Sequence, residues 1–312
     1  MRLFRSHRPS AFIVGPKTAS PKKRPALPLI IGAIALLQMI GSGVYPMAKI
    51  GLEVIDPFVF AFYRYILASA VLLTLTRFIK RDPPIARNDW KYIAGLGLLI
   101  IIFNQTMFVI GQKLTGAGHG AVLFSTTPVW VFLLALIHLK EKATWRRTLG
   151  IIMATGGVMV IMLSGAIDVS TDYLIGDLII LVSVLAWGYY TVFGKRMVER
   201  YGALRVTAYA LSIGALAYLP FGIYVAAKFD YSQTTLVSWI SVAYLALGLS
   251  GIVYVLWYWL LKHLEASRIA IYHNVQPIVA STIAYFFLGE PLTTAFIVGG
   301  AIVLTGVVIT EV

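Results

Sequence analysis

The chain has 312 residues, of which 59% are hydrophobic and only 12% are charged. Soluble domains carry about 25% charged residues, so this composition excludes an ordinary soluble domain and indicates an integral membrane protein. The net charge of +13 does not indicate a nucleic-acid-binding protein, because the basic residues lie in one tail and in alternate loops. The absence of cysteine excludes disulfides and Cys-ligated metals.

Residues 1–26 contain seven Lys and Arg and no acidic residue. This composition predicts a disordered basic cytoplasmic tail. A secretory signal peptide is the alternative, but the apolar run that follows is too long for its hydrophobic region.

Ten apolar segments follow the tail, each about as long as a membrane-spanning helix. We number them spans 1 to 10 in chain order. Their predicted ranges are 27–50, 57–79, 91–112, 118–139, 147–164, 174–196, 205–227, 236–261, 267–289 and 293–311.

The basic residues indicate the orientation of these spans. The tail and the loops that follow even-numbered spans, with the span ends beside those loops, hold 22 of the 26 Lys and Arg, and Arg64 alone lies well inside a span. Cytoplasmic loops are enriched in Lys and Arg. We therefore predict that both termini lie in the cytoplasm.

The sequence repeats itself at an offset of 149 residues. Each repeat contains five spans, an odd number, so the two copies must cross the membrane in opposite directions. The predicted fold is an all-α membrane protein of two inverted five-helix repeats around a central cavity, with halves at 27–168 and 169–312. The matching pairs are Trp90 and Trp239, Lys113 and Lys262, Ala121 and Ala270, Pro128 and Pro277, Ala135 and Ala284, Leu139 and Leu288, Glu141 and Glu290, Thr144 and Thr293, Gly150 and Gly299, Gly157 and Gly306, and Val158 and Val307.

Pro128 and Pro277 lie within spans 4 and 9 and follow polar residues in both. Proline removes a backbone hydrogen bond and kinks a helix, and irregular backbone is tolerated in a membrane only against protein or water. We interpret the two prolines as hinges beside a cavity. A packing kink repaired by Ser125 or Thr127 is the alternative.

Several spans carry polar or aromatic side chains near their middle. Such polar groups usually face the interior of a helix bundle, although each can also form a simple interhelical hydrogen bond. Trp187 and Tyr190 share a helix face, and Tyr254 lies opposite Gln105 in the repeat. Aromatic rings beside sparse polar groups suit a planar, partly apolar substrate, and packing is the alternative. Trp257 is interpreted as part of an interfacial belt.

Ionisable residues are rare within the spans. Arg64 either reaches outward to Glu53 or Asp56 or attracts a substrate carboxylate. His273 is the deep side chain that titrates near neutral pH. Since no span carries a central carboxylate, we expect facilitated transport or weak proton coupling through His273.

Other chemistry has little support in the sequence. The Gly248–Gly251 segment contains Ser250, and His273 lies on the next span, so an intramembrane serine protease is a remote alternative. Small residues that allow close helix packing explain the segment better. No motif indicates a metal or a cofactor.

Both repeats contain the pattern Pro-x(12)-Glu-x(8)-Gly, as Pro128-Glu141-Gly150 and Pro277-Glu290-Gly299, and Lys49 and Lys195 end the first span of each half. These features resemble the EamA repeats of the drug/metabolite transporter superfamily. The resemblance implies ten helices, with spans 1–4 and 6–9 around a central cavity and spans 5 and 10 outside it.

The resemblance further implies a monomeric exporter of amino acids, aromatic ones first, that works by alternating access. A multidrug or nucleotide-sugar carrier of the same superfamily is the alternative, and a channel is a separate class. The implied partners are a small-molecule substrate and membrane lipid. The resemblance also implies a substrate path, whose lining we assign from the span and the depth in the membrane of each residue. The assigned residues are Gln38, Tyr45, Asn104, Thr127, Trp187, Tyr190, Tyr254, His273, Asn274 and Gln276.

Overall fold

The computed structural model describes residues 25–78, 83–114, 123–163, 174–279, 282 and 294–311. Residues 1–24 of the predicted tail, and Glu290, lie outside these ranges. The described residues form ten helical spans, α1 to α10, and no strand. Five of the described helices are long and apolar enough by themselves to cross a membrane. The fold is therefore the predicted all-α membrane architecture.

Several spans consist of more than one helical segment. Their bounds are α1, Leu27–Ser42 continued by Val44–Leu52; α2, Pro57–Thr76; α3, Trp90–Leu98, Leu99–Thr106 and Met107–Leu114; α4, Leu123–His138; α5, Trp145–Leu163; α6, Leu174–Tyr201; α7, Ala203–Lys228; α8, Leu236–Ala243, Tyr244–Val253 and Tyr254–Leu261; α9, Ala266–Ala270, Ile271–Val275 and 276–279; and α10, Thr294–Glu311.

Local sequence explains where the spans begin. The Asp56 carboxylate accepts a hydrogen bond from the Phe58 amide at 2.9 Å, and Pro57 is the first residue of α2. Proline suits this position because its missing N–H would have no helical partner there. At the start of α8, Thr235 and Ser238 form a reciprocal capping box.

Helix packing is two-fold symmetric about the centre of the bundle. The α3 helix packs on α6 as α8 packs on α1, and α2 packs on α7. In the repeat α3 corresponds to α8 and α6 corresponds to α1, so the α3–α6 contact and the α8–α1 contact are equivalent. The α5 helix packs on α10, its own counterpart in the other half. This symmetry, with five spans in each half, is that of an inverted repeat.

Glycines allow a close contact between α5 and α10. A Cβ atom added at Gly157 would lie 2.6 Å from the Gly299 carbonyl oxygen, and one at Gly306 would lie 2.6 Å from that of Gly150. Because these four glycines are repeat mates, the same close approach occurs twice across the symmetry axis.

Polar residues at the ends of the spans fall on two faces. The face at which α1 begins and α10 ends is rich in Lys and Arg, and we call it the basic face. Contacts across it join Asp89 to Arg200 at 2.5 Å and Lys195 to Glu141 at 3.3 Å. On the opposite face, the Tyr63 and Tyr231 hydroxyls lie 2.9 Å apart.

Pro128 and Pro277 both lie where a span is interrupted. In α4 a turn at Thr126 separates a short first segment from Thr127–His138, and Pro128 lies in the first turn of the second segment. In α9 the 3-10 segment Ile271–Val275 precedes 276–279, which contains Pro277. The predicted kinks are therefore breaks, after which a proline begins a new helical segment.

Candidate functional site

A cavity of about 1000 Å³ lies at the centre of the bundle, between the two halves. Its wall comes from α1, α2, α3, α4, α6, α8 and α9. It extends to Glu53 and Asp56 in the loop between α1 and α2, so it approaches the face opposite the basic one. The predicted central cavity is present, with its mouth on that face.

The polar part of the wall is centred on a pair of repeat mates. Gln105 donates a hydrogen bond from Nε2 to the Tyr254 hydroxyl at 2.8 Å, and the two residues are 149 positions apart. Each lies in or directly after a π-helical segment, at Leu99–Thr106 and Tyr244–Val253. Such segments are common at functional sites, because they turn side chains out of the regular helical register.

An aromatic cluster forms the inner part of the wall. The Trp187 ring lies 5.2 Å from that of Tyr254, 5.5 Å from that of Trp257 and 5.7 Å from that of His273, measured between centroids. Trp187 also donates a hydrogen bond from Nε1 to Nε2 of His273 at 3.1 Å. This bond requires an unprotonated Nε2, so the geometry suits a neutral imidazole with its proton on Nδ1.

The ten predicted path residues divide into three groups. Five line the cavity, namely Asn104, Trp187, Tyr254, His273 and Gln276. Four are buried among the helices, outside the cavity wall, namely Gln38, Thr127, Tyr190 and Asn274. The side chain of Tyr45 lies outside the part of the chain that the structure describes.

Two of the buried polar residues repair the helix breaks. The Gln38 amide donates from Nε2 to the Tyr272 carbonyl oxygen at 2.9 Å, in the 3-10 segment of α9. Oriented to satisfy both neighbours, the Asn274 amide donates to the Ser125 carbonyl oxygen at 3.0 Å and accepts from the Thr155 amide at 3.1 Å. These contacts match the interhelical alternative, since they satisfy backbone groups beside the breaks.

Asn104 both lines the cavity and forms an interhelical hydrogen bond. It lines the cavity, and its Nδ2 donates to the Ser183 carbonyl oxygen at 2.9 Å. Tyr190 is fully buried and stacks on Tyr258 at 4.7 Å. The packing interpretation therefore fits Tyr190.

Two interpretations of single residues are wrong. Trp257 does not face lipid at an interface, because it is only 1% exposed and its ring lies 4.7 Å from that of His273. Its spacing of three residues from Tyr254 would have identified it as a cavity residue. Arg64 does not reach outward, because its Nε donates to the Ser250 hydroxyl at 3.0 Å.

The Arg64 contact also decides against the protease alternative. Ser250 is fully buried and engaged by a guanidinium, and the imidazole of His273 is engaged by Trp187. A serine nucleophile needs its base within hydrogen-bond reach, and Ser250 lies beside a permanent cation instead.

The basic face is closed around Glu141, in the loop between α4 and α5. Its Oε1 accepts from the Ala266 amide at 2.7 Å and from Lys195 Nζ at 3.3 Å, and its Oε2 accepts from the Ser267 hydroxyl at 2.6 Å. Lys195 also donates to the Leu264 carbonyl oxygen at 2.9 Å. We call this set of contacts the Glu141 lock, since it ties the first half to α6 and α9 of the second.

Electrostatics favour the ionised form of Glu141 in this lock. Burial alone raises the pKa of its carboxyl group, but the hydrogen bonds from Ser267 and Ala266 and the charge of Lys195 outweigh burial, and the pKa is lower than usual. A second ion pair joins Arg147 to Glu265 nearby. The basic face is therefore held shut by charge-assisted contacts between the halves.

Comparison with known proteins identifies the architecture. The model of the EamA-like transporter family matches residues 28–163 and 174–312. An uncharacterized transporter of Archaeoglobus fulgidus is 28% identical over 280 residues, which are 89% of this chain and 95% of that protein. A probable terminal-alkyne amino-acid exporter of Streptantibioticus cattleyicolor is also 28% identical over 280 residues, covering 89% of this chain and 92% of its own. One solved crystal structure superposes with a TM-score of 0.75 at 16% identity, over 91% of this chain and 96% of that one.

Proposed function

Because the chain belongs to the EamA-like transporter family, we propose that it exports amino acids, aromatic ones first, by alternating access. The observation that carries this proposal is the aromatic wall of Trp187, Trp257, Tyr254 and His273 inside a cavity of about 1000 Å³. Indole and phenol rings around a few polar groups complement a small molecule with one planar apolar part and one polar end. The amino-acid exporter among the relatives supports the same substrate class.

We infer from the closed face which state of the transport cycle the structure represents. We place the basic face in the cytoplasm, as the distribution of Lys and Arg favours, so that both termini are cytoplasmic and the membrane is the bacterial inner membrane. The Glu141 lock then closes the cytoplasmic side and the cavity approaches the outside, which is the state that releases an exported substrate. Exchange of the conformations of the two halves, 27–168 and 169–312, would produce the opposite state.

Pro128 and Pro277 are the proposed hinges. Each begins a helical segment after a break in α4 or α9, and the breaks face each other across the symmetry axis through the contact of Asn274 with Ser125. A broken helix with its carbonyls satisfied by side chains can bend without exposing backbone groups to lipid. We propose that bending at these points opens one face while it closes the other.

The proposed transport is facilitated and carried out by a monomer. Among the described residues that line the cavity, Glu53 and Asp56 at the mouth are the only carboxylates, and His273 is bound by Trp187 in the manner of a neutral imidazole. The two carboxylates at the mouth lie in an exposed loop, and that of Asp56 caps α2. These features give no support to the acidic relay of a proton-driven pump.

The alternatives within the superfamily fit the cavity less well. A nucleotide sugar carries phosphates that need several cations, and Arg64 is the single Lys or Arg that lines the cavity in the described parts of the chain. A cationic drug would meet that guanidinium instead of a deep carboxylate. The wall therefore favours a molecule with a single negative group.

Uptake into proteoliposomes of purified protein tests the proposal. Labelled phenylalanine is supplied outside, and unlabelled tryptophan, tyrosine, glycine and lysine are added as competitors. The proposal predicts that tryptophan and tyrosine compete at least tenfold better than glycine. Equal competition by all four amino acids would refute the aromatic assignment, and no uptake of any amino acid would refute the proposed function.

A further inference from the structure

Arg64 is a buried charge in the wall of the cavity. It lies in the second turn of α2, is only 7% exposed and lines the cavity. Charged side chains inside a membrane protein almost always pair with an opposite charge or serve a transported molecule. None of the ion pairs formed by the described residues includes Arg64, since they join Arg147, Lys195 and Arg200 to carboxylates.

The groups around Arg64 hold it without neutralising it. Its Nε donates to the Ser250 hydroxyl at 3.0 Å, and Tyr254 lies beside it. Both neighbours are uncharged groups. A guanidinium has five N–H donors in one plane, so the bond to Ser250 fixes that plane, and the four donors on the two η nitrogens serve the Tyr254 hydroxyl and other partners.

We propose that Arg64 is the anion subsite of this cavity, and that it binds the carboxylate of the transported molecule. The proposal rests on the proposed function for the identity of that molecule, and on the unpaired guanidinium for the subsite itself. A planar fork of N–H groups binds a carboxylate through two parallel hydrogen bonds, which gives orientation as well as affinity.

The neighbouring aromatic wall indicates the chemical character of the rest of the ligand. Tyr254 contacts both Arg64 and Trp187, whose ring lies 5.2 Å from its own. A molecule whose carboxylate lies at Arg64 can therefore extend its apolar part along Tyr254 toward Trp187 and Trp257. The ligand class is a small monocarboxylate with an aromatic or other apolar side group, of which aromatic amino acids are one kind.

Ser250 is a positioning residue in this account. It lies in the Gly248–Gly251 segment, within the π-helical segment of α8, and is fully buried. Without its hydroxyl the guanidinium keeps its charge but loses the bond that fixes its plane. Loss of Ser250 should therefore weaken carboxylate binding less than loss of Arg64 does.

The test uses purified full-length protein and three probes of similar shape. They are phenylacetate, which has a carboxylate and no amine, phenethylamine, which has an amine and no carboxylate, and phenylalanine, which has both. Binding is followed by the change in tryptophan fluorescence and by calorimetry. Wild-type protein should bind phenylacetate and phenylalanine at least tenfold more tightly than phenethylamine.

The variants then locate the subsite. Arg64→Gln should weaken phenylacetate binding roughly 10- to 100-fold, the range of a hydrogen bond to a charged group, and should not weaken the binding of phenethylamine, a cation that the guanidinium repels. Arg64→Lys should lose less phenylacetate affinity than Arg64→Gln does. Ser250→Ala should weaken phenylacetate binding severalfold and Ser250→Thr should restore it, which a purely structural role of Ser250 would not require.

The outcomes separate this proposal from the proposed function. Arg64-dependent binding of phenylacetate without transport of phenylalanine would support the subsite and refute amino-acid export. Failure of wild-type protein to bind phenylacetate, or equal binding of phenylacetate and phenethylamine, would overturn the subsite even if no Arg64 variant folds. Unchanged phenylacetate binding by a folded Arg64→Gln variant would overturn it as well.

Discussion

Glu141→Gln is expected to open the basic face. Glutamine keeps the shape of the side chain but removes the charge that Lys195 faces at 3.3 Å. It also leaves one acceptor oxygen where there were two, so the hydrogen bond from the Ala266 amide, at 2.7 Å, becomes a neutral one, and the Ser267 hydroxyl, at 2.6 Å, can no longer donate to a carboxylate. The halves should therefore separate more readily at the Glu141 lock.

The size of the effect follows from these contacts. A hydrogen bond to a charged group contributes about 1 kcal/mol more than a neutral one. Two such bonds give about 2 kcal/mol, before any loss from the ion pair with Lys195. Since about 1.4 kcal/mol is a factor of ten, the ratio of open to closed molecules should rise roughly 30-fold.

Spin labels on the two sides of the Glu141 lock measure this ratio. The chain contains no cysteine, so Lys142→Cys and Lys262→Cys give a clean labelled pair. The distance distribution should gain a longer component in Glu141→Gln. Glu265→Gln is the matched control, because the Glu265 side chain is 43% exposed and its pair with Arg147 contributes at most about 1 kcal/mol. An unchanged distribution in Glu141→Gln, or an equal change in the control, would refute the assignment.

Four further predictions concern the Glu141 lock, the cavity wall and the contact between α5 and α10. In the spin-label assay the Glu141 lock should be insensitive to pH near neutrality and should open only as the pH falls below about 4.3, the usual carboxyl value. The reason is that the pKa of Glu141 is lowered in the closed state, so protonation costs the closed state its contacts, and Glu141→Gln should abolish this pH dependence. Trp257→Ala should weaken phenylalanine binding at least tenfold and glycine binding little, as calorimetry would detect. Gly157→Ala should destabilise the protein by about 1–3 kcal/mol in a thermal unfolding assay, because its Cβ would meet the Gly299 carbonyl oxygen at 2.6 Å, and Gly156→Ala, with open space around the added Cβ, should not. His273→Gln should leave the pH profile of uptake unchanged, and a flattened profile would instead indicate proton coupling through His273.

Most of the fold could be predicted from the sequence because lipid restricts the choice. A helical chain in a membrane must form its backbone hydrogen bonds within each helix, so the lengths of the apolar segments were enough to locate the spans. The repeat offset then gave the inversion, because five spans is an odd number. It also placed Gln105 opposite Tyr254, and the two are hydrogen-bonded at 2.8 Å.

The site was less predictable because the position of a residue along a helix does not determine which way its side chain points. Gln38 and Asn274 lie at the expected depth, yet they bind backbone carbonyl groups beside the helix breaks. Arg64 was ambiguous for the same reason, since a long side chain near a helix end can turn outward or inward. Trp257 was assigned to the interface by its distance from Lys262, although its helix face is that of Tyr254.

Counterflow tests the central claim of a two-state carrier most directly. Proteoliposomes are loaded with unlabelled phenylalanine and diluted into a trace of labelled phenylalanine. A carrier whose cavity faces one side at a time should accumulate label transiently, because exchange through the loaded protein is faster than net exit. Label that only equilibrates, with no transient excess over the outside concentration, would contradict alternating access and indicate a channel.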